Sequence, residues 1–121
     1  MAKFVIRTVP TGFKFDLRAA NGQIIAASEV YETAAACRKG AESVRKNAPK
    51  AKVEDCTEEN RGAVTNPKFE LYQDRSGAFR FRLKSRNGQV IAVSEGYTSK
   101  AACENGIESV RRNAPEAEIE V

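Results

Sequence analysis

The stretch FKFDLRAANGQIIAASEVYETAAACRKGAESVRKNAPKAKVE, Phe13–Glu54, recurs without a gap as FRFRLKSRNGQVIAVSEGYTSKAACENGIESVRRNAPEAEIE, Phe79–Glu120. The offset is 66 positions, and 24 of the 42 residues are identical. Upstream, Lys3-Phe4 corresponds to Lys68-Phe69 at an offset of 65, so the second copy has one extra residue in its first turn. Between the copies runs DCTEENRGAVTN, Asp55–Asn66, polar and acidic, which reads as a linker. The chain therefore divides into a first repeat (1–54), a linker (55–66) and a second repeat (67–121).

Each copy spells strand, strand, strand, helix, strand. KFVIRTV and KFELYQ are short alternating segments that end at Pro10-Thr11-Gly12 and at Asp74-Arg75-Ser76-Gly77. Phe13, Phe15 and Leu17, like Phe79, Phe81 and Leu83, alternate with polar residues, the pattern of a strand with one buried face. Asn-Gly at 21–22 and 87–88 signals a hairpin, and residues 23–27 and 89–93 form the third strand. Thr33 and Thr98-Ser99 are N-caps for helices whose inner faces carry Ala36, Cys37, Gly40, Ala41, Val44 and Ala48, and their counterparts Ala102 to Ala114. Asn47 and Asn113 suit a left-handed helix end, with Pro49 and Pro115 stopping continuation. Gly40 and Gly106 each weaken a helix by about 1 kcal/mol against Ala, which makes sense where the backbone must come close to a sheet. A unit of about 50 residues buries too little surface to stand alone, so the copies should share a core. The expectation is an α+β chain: one antiparallel sheet, both helices on one face, and a pseudo-twofold axis between the repeats.

Composition narrows the function. The chain has 121 residues, 41% hydrophobic and 30% charged, as in an ordinary globular domain. It contains no histidine, which removes the commonest general base, the Ser-His-Asp and Cys-His triads, and the usual zinc and haem ligation. No stretch approaches a membrane helix, and MAKFVIR has no signal-peptide core, so a cytoplasmic setting away from membranes is expected, with Cys37, Cys56 and Cys103 as thiols. The net charge is +4, with +5 on residues 1–54, −2 on 55–66 and +1 on 67–121. No basic tail exists, so any electrostatic site must be made by folding.

The pattern FxFxLxxxNGQxIAxSExYxxxxAC…GxESVRxNAP, present twice in order, resembles the YegP-like family of small bacterial proteins, a domain of unknown function. The resemblance covers both copies, everything but the linker. It implies a β-β-β-α-β motif doubled in one chain, with the C-terminal strands exchanged between repeats into one sheet. It brings no catalytic residue, cofactor or substrate with it.

Several residues still invite a chemical reading. Ser28-Glu29 with Tyr31, and Ser94-Glu95 with Tyr97, could set a hydroxyl beside a carboxylate; the plainer reading is capping and ring packing. Cys37 and Cys103 read as small apolar groups of the helix face, and Cys56 as the more exposed thiol. Glu58-Glu59 reads as a solvated loop rather than a metal site, and neither Gly-rich phosphate motif is present, so no cofactor is expected.

The sheet carries the sharpest hint. If Phe79, Phe81 and Leu83 point inward, Arg80, Arg82 and Lys84 point the other way, and Arg86 continues the parity; the first copy offers Lys14 and Arg18 around Asp16. Such a stripe suits an anionic partner, yet the phenylalanines point away from it and only Tyr72 is left for base stacking. Val5 and Val9 face outward on the first strand. The expected function is a non-catalytic interaction module that contacts a macromolecule, protein before nucleic acid, through its sheet face or edges. The alternatives are an anion or nucleic-acid binder using the basic stripe and a small enzyme using the Ser-Glu-Tyr clusters. Because tandem repeats supply each other's pairing, a monomer is expected.

Overall fold

The computed structural model describes residues 1–59 and 62–120; of the linker, residues 60 and 61 lie outside the described residues. The strands are β1 (Lys3–Val9), β2 (Gly12–Arg18), β3 (Ile24–Ala27), β4 (Lys52–Asp55), β5 (Lys68–Gln73), β6 (Phe79–Lys84), β7 (Val90–Val93) and β8 (Glu118–Glu120). The helices are α1 (Ala34–Asn47) and α2 (Lys100–Asn113), and a single 3-10 turn, Ala114–Glu116, precedes β8.

All eight strands join one sheet in the order β4-β5-β6-β7-β3-β2-β1-β8. β4 of the first repeat lies beside β5 of the second, and β8 of the second beside β1 of the first, which is the exchange of final strands. The sheet is mixed, however, not antiparallel throughout. The inner six strands pair antiparallel, while β4–β5 and β1–β8 are parallel. The reason is that each final strand pairs with the first strand of the other repeat. β4 is joined to β5 by the linker, long enough to return the chain to the start of a parallel neighbour where a hairpin would make an antiparallel one, and β8 meets β1 in the same way across the pseudo-twofold. The two meanders meet at a narrow seam, the pair Ala27↔Val93.

The helices share one face of this sheet. α1 packs on β1 and β2 and reaches β7 of the other repeat; α2 packs on β5 and β6 and reaches β3. One cluster therefore contains Phe4, Phe15, Leu17 and Val44 together with Phe69, Phe81, Leu83 and Val110, all fully buried. Phe13 and Phe79, at the outer end of each ladder, are only partly covered. The symmetry reaches the rings: Phe4 meets Phe15 edge-on at 5.6 Å and Phe69 meets Phe81 at 5.8 Å.

Local chemistry accounts for the helix ends. Thr33 Oγ1 accepts from the Ala36 N–H at 3.0 Å and Ser99 Oγ from the Ala102 N–H at 3.1 Å, each relieving an unpaired first-turn donor. The left-handed ends expected at Asn47 and Asn113 do not form, since among the described residues none other than glycine has a positive φ. Each asparagine instead stays helical and its Nδ2 donates to the backbone oxygen four residues back, Ser43 or Ser109, at 2.8 Å. The proline two residues later ends the helix without a left-handed cap.

The helical glycines admit a side chain rather than the sheet itself. A Cβ on Gly40 would stand 2.2 Å from the Tyr31 hydroxyl oxygen, and one on Gly106 would stand 2.3 Å from that of Tyr97. Tyr31 lies between helix and sheet, stacked on Phe15 at 6.4 Å, and Tyr97 is stacked likewise on Phe81. The glycine gap is filled by a ring.

Candidate functional site on the uncovered sheet face

Strand alternation sets this face. With Phe4, Phe15, Leu17, Phe69, Phe81 and Leu83 turned to the helices, the intervening residues look outward. Cross-strand neighbours there are Lys3/Arg18, Val5/Asp16 and Arg7/Lys14 in the first half. In the second half they are Lys68/Lys84, Glu70/Arg82 and Tyr72/Arg80.

In the second half the basic stripe is paired. Arg80 Nε donates to Asp74 at 2.7 Å, Arg82 Nε donates to Glu70 at 2.6 Å, and Lys84 lies 3.3 Å from the same Glu70 oxygen. Lys68 bridges Glu54 of the exchanged strand at 2.5 Å and Glu70 at 3.5 Å. Arg82 also lies over the Tyr72 ring at 4.6 Å, covering the one aromatic surface this half offers. Burial alone would push the Glu70 carboxyl up; Arg82 and then Lys84 more than offset that and hold it below the usual range. Hydrogen bonds from Arg80 and Ser76 bring Asp74 down from 3.8 to about 2. Reasoning from β6 alone had missed Glu70, although its place beside Arg82 follows from the parity of Tyr72 on β5.

The first half is built differently. Asp16, only 3% exposed, accepts from Arg7 Nε at 2.9 Å, and Lys3 pairs with Glu120 of β8 at 2.9 Å. Among the described residues Lys14 and Arg18 form no ion pair. Arg86 leaves this face in the β6–β7 turn and instead borders a cleft with Lys46 of α1 and Lys50 just beyond it. Val5 and Val9 are half-buried.

The Ser-Glu-Tyr clusters serve the backbone. Ser28 Oγ accepts from the Phe15 N–H at 2.9 Å and donates to the Glu29 carbonyl at 2.7 Å; Ser94 repeats this with Phe81 and Glu95. These hydroxyls bridge the end of the third strand to β2 or β6, while Glu29 and Glu95 face solvent. Burial raises both tyrosine hydroxyls above their ordinary value. It also pushes the Cys103 thiol up to about 11 and raises that of Cys37, the opposite of what a nucleophilic thiol needs. Glu54, Cys56 and Glu70 bring possible ligand atoms within 4.8 Å of one another, but Lys68 and Arg82 already sit on the carboxylates, so this cluster is an ion-pair network. Glu58, expected in a solvated loop, joins Asp55 in binding the Lys100 ammonium at the start of α2.

A tandem α+β protein with exchanged final strands and one uncovered sheet face is the class these features define. A family profile described as "Domain of unknown function (DUF1508)" matches residues 11–55 and 74–120. The UPF0339 protein PA0329 of Pseudomonas aeruginosa is 41% identical over 117 residues, 96% of this chain and 93% of that protein. The chain belongs to this DUF1508, or UPF0339, family. A relative from Treponema denticola is 65% identical over 52 residues, which is 43% of this chain but 90% of that protein, so it is little more than one repeat long. The solution NMR structure of the Escherichia coli protein yegP, described as of unknown function, superposes with a TM-score of 0.79 at 29% identity, covering 98% of this chain and 90% of that one. Among the described residues no helix is long and apolar enough to cross a membrane.

Proposed function

We propose that this chain is a non-catalytic, cytoplasmic interaction module that acts as a monomer and holds another protein against the uncovered face of its sheet. The observation that supports this reading is the charge balance of that face. Arg80, Arg82 and Lys84 are answered by Asp74 and Glu70, and Arg7 by Asp16. Nucleic-acid affinity rests on cations free to replace the counterions of phosphates and on rings free to stack; in the second half of the face both are engaged within the protein, and only in the first half do Lys14 and Arg18 stand without an ion pair among the described residues. Mixed, mutually paired charge around an apolar seam is instead the make-up of a protein contact surface. The serine hydroxyls, used by the backbone, leave no nucleophile beside a base, which weighs against the enzyme reading.

The test is site-specific photocrosslinking in the native cell. A photoreactive residue at Val93, in the seam of the uncovered face, should capture a discrete protein band that one at Glu104, on the solvent side of α2, does not. Equal or absent capture at the two positions, or capture of nucleic acid alone at Val93, overturns the reading.

A further inference from the structure

Where the end of α1 meets the β6–β7 turn of the second repeat, a cleft of about 500 Å³ opens, the size of a small-molecule site. Lys46 and Lys50 border it from the first repeat and Arg86 from the second, and Glu42 is the one carboxylate among its described residues. Folding alone assembles it, through the reach of α1 to β7 of the other repeat.

Its cations are unanswered. Lys46, Lys50 and Arg86 are exposed and form no ion pair among the described residues, nor does Glu42, one helical turn before Lys46. Lys46 and Lys50 stand four residues apart where the chain keeps turning beyond α1, with the Ala51 N–H donating to the Asn47 carbonyl at 3.0 Å. Like charges at that spacing repel, and Arg86 brings a third to the same cleft. Asn87 adds a neutral donor: its Oδ1 accepts from the Ser85 hydroxyl and from the Gln89 N–H, while its Nδ2 makes no bond among the described residues.

The fold does not require this charge, because the other repeat does without it. A cation in the last turn of a helix answers its dipole, which accounts for Lys46 and for Arg112, its counterpart in α2. Lys50 and Arg86 have no such duty, since Glu116 and Ala20 hold the equivalent places. There one cation, Arg112, stands against two carboxylates, Glu108 and Glu116, and Glu108 is bound to Arg111.

We propose that the cleft binds a small, multiply charged oxyanion whose phosphate or carboxylate groups sit between Arg86 and the two lysines. Arg86 offers a planar fork that matches either group, and Lys46 and Lys50 offer compact point charges. The site is independent of the protein-contact reading of the sheet face.

The experiment titrates the isotope-labelled full chain with pyrophosphate and with citrate, each against sodium chloride of equal ionic strength, and follows the backbone amides by NMR. The amides of Lys46, Asn47, Lys50, Arg86, Asn87 and Gln89 should move and saturate in at least one titration, and the tighter ligand shows which anionic group is preferred. Those of Arg112, Glu116, Ala20 and Asn21 should stay still. Lys50→Gln/Arg86→Gln should weaken binding about tenfold, the loss expected of two surface charge pairs. Lys50→Glu/Arg86→Ala, which installs what this fold already accepts in its other repeat, should abolish saturation. Because neither residue is ion-paired, both variants should melt as the parent does. Lys39→Gln/Arg112→Gln removes the same charge from exposed helix positions outside the cleft and should bind as the parent does. No saturation in either titration, shifts that sodium chloride alone reproduces, or binding indifferent to Lys50 and Arg86 overturns the proposal. So does equal weakening by the Lys39/Arg112 variant. Failure here leaves the crosslinking at Val93 to stand or fall by itself, and failure of that capture leaves this cleft untouched.

Discussion

Arg45, in the last turn of α1, donates a hydrogen bond of 2.5 Å to the carbonyl of Ala117, which belongs to the other repeat. Its counterpart Arg111 donates to the Ala51 carbonyl at 2.6 Å, with its guanidinium 5.5 Å from the centre of the Phe69 ring. Each helix thus holds the entry to the other repeat's exchanged strand. Ala51 precedes β4 and Ala117 precedes β8, so the two contacts close the exchange at both ends.

Arg45→Ala and Arg111→Ala should each cost about 1.5–3 kcal/mol, the range for hydrogen bonds from charged donors. Because each contact joins the repeats, urea unfolding should remain a single transition with an unchanged slope and a lower midpoint. Two separate transitions, or an unmoved midpoint, would contradict the shared core.

Gly40→Ala should destabilise even though alanine favours a helix by about 1 kcal/mol. The new methyl group would meet the Tyr31 hydroxyl at 2.2 Å, and overpacking of a filled core costs about 1–3 kcal/mol. Adding Tyr31→Phe removes the nearest atom and should recover part of the loss in thermal melts.

Acid should weaken the fold through the second half of the open face. The Asp74 carboxyl is held below its ordinary value in the folded state, so it releases its proton more readily folded than unfolded. Its stabilising contribution is therefore full above pH 3.8 and lost as the pH falls through about 2. Glu70, also lowered, contributes with the same sign. Urea midpoints measured from neutral pH downward should show this acid limb, and Asp74→Asn should flatten part of it.

Replacing Arg80, Arg82 and Lys84 together by Ser should disturb stability and leave nucleic-acid affinity unmoved. Glu70, whose side chain is only 9% exposed, would keep Lys68 but lose Arg82 and Lys84, at a cost of about 1–3 kcal/mol. Adding Glu70→Gln should restore part of that. A fall in oligonucleotide affinity or in its salt slope would count for the anion-binding alternative.

Thiol reactivity should separate the cysteines. Cys37 and Cys103 are fully buried with raised thiols, and Cys56 is half-exposed. A disulfide reagent at neutral pH should therefore modify Cys56 quickly and the other two only on unfolding. Fast reaction at Cys103 would contradict its packing.

Element order, the capping residues and the inward phenylalanines were all legible in the chain, because each rests on local periodicity and on signals repeated twice. Asn47 and Asn113 misled: asparagine tolerates a left-handed end, but here its amide found the serine carbonyl one turn back. The all-antiparallel expectation failed because the two edge strands pair with the other repeat, and their direction is set by how the copies meet, which no short window encodes. The Ser-Glu-Tyr clusters looked chemical because they recur, yet recurrence is equally the mark of a structural necessity, here the bond from Ser28 to Phe15 and the ring of Tyr31 against Gly40.

The sequence by itself determined that two copies of one plan must complete one another, since the spacing of Phe, Leu, Gly and Tyr states twice which side of each element is buried. Only the tertiary structure decided what the uncovered face can do. Arg80, Arg82 and Lys84 are the densest basic run on any strand, and they lose their availability to Glu70 and Asp74 on neighbouring segments. Lys14 and Arg18, diluted by Asp16 in the chain, keep theirs. Local patterning fixes which way a side chain points, whereas its charge is answered by residues from other strands, and those are brought beside it only by folding.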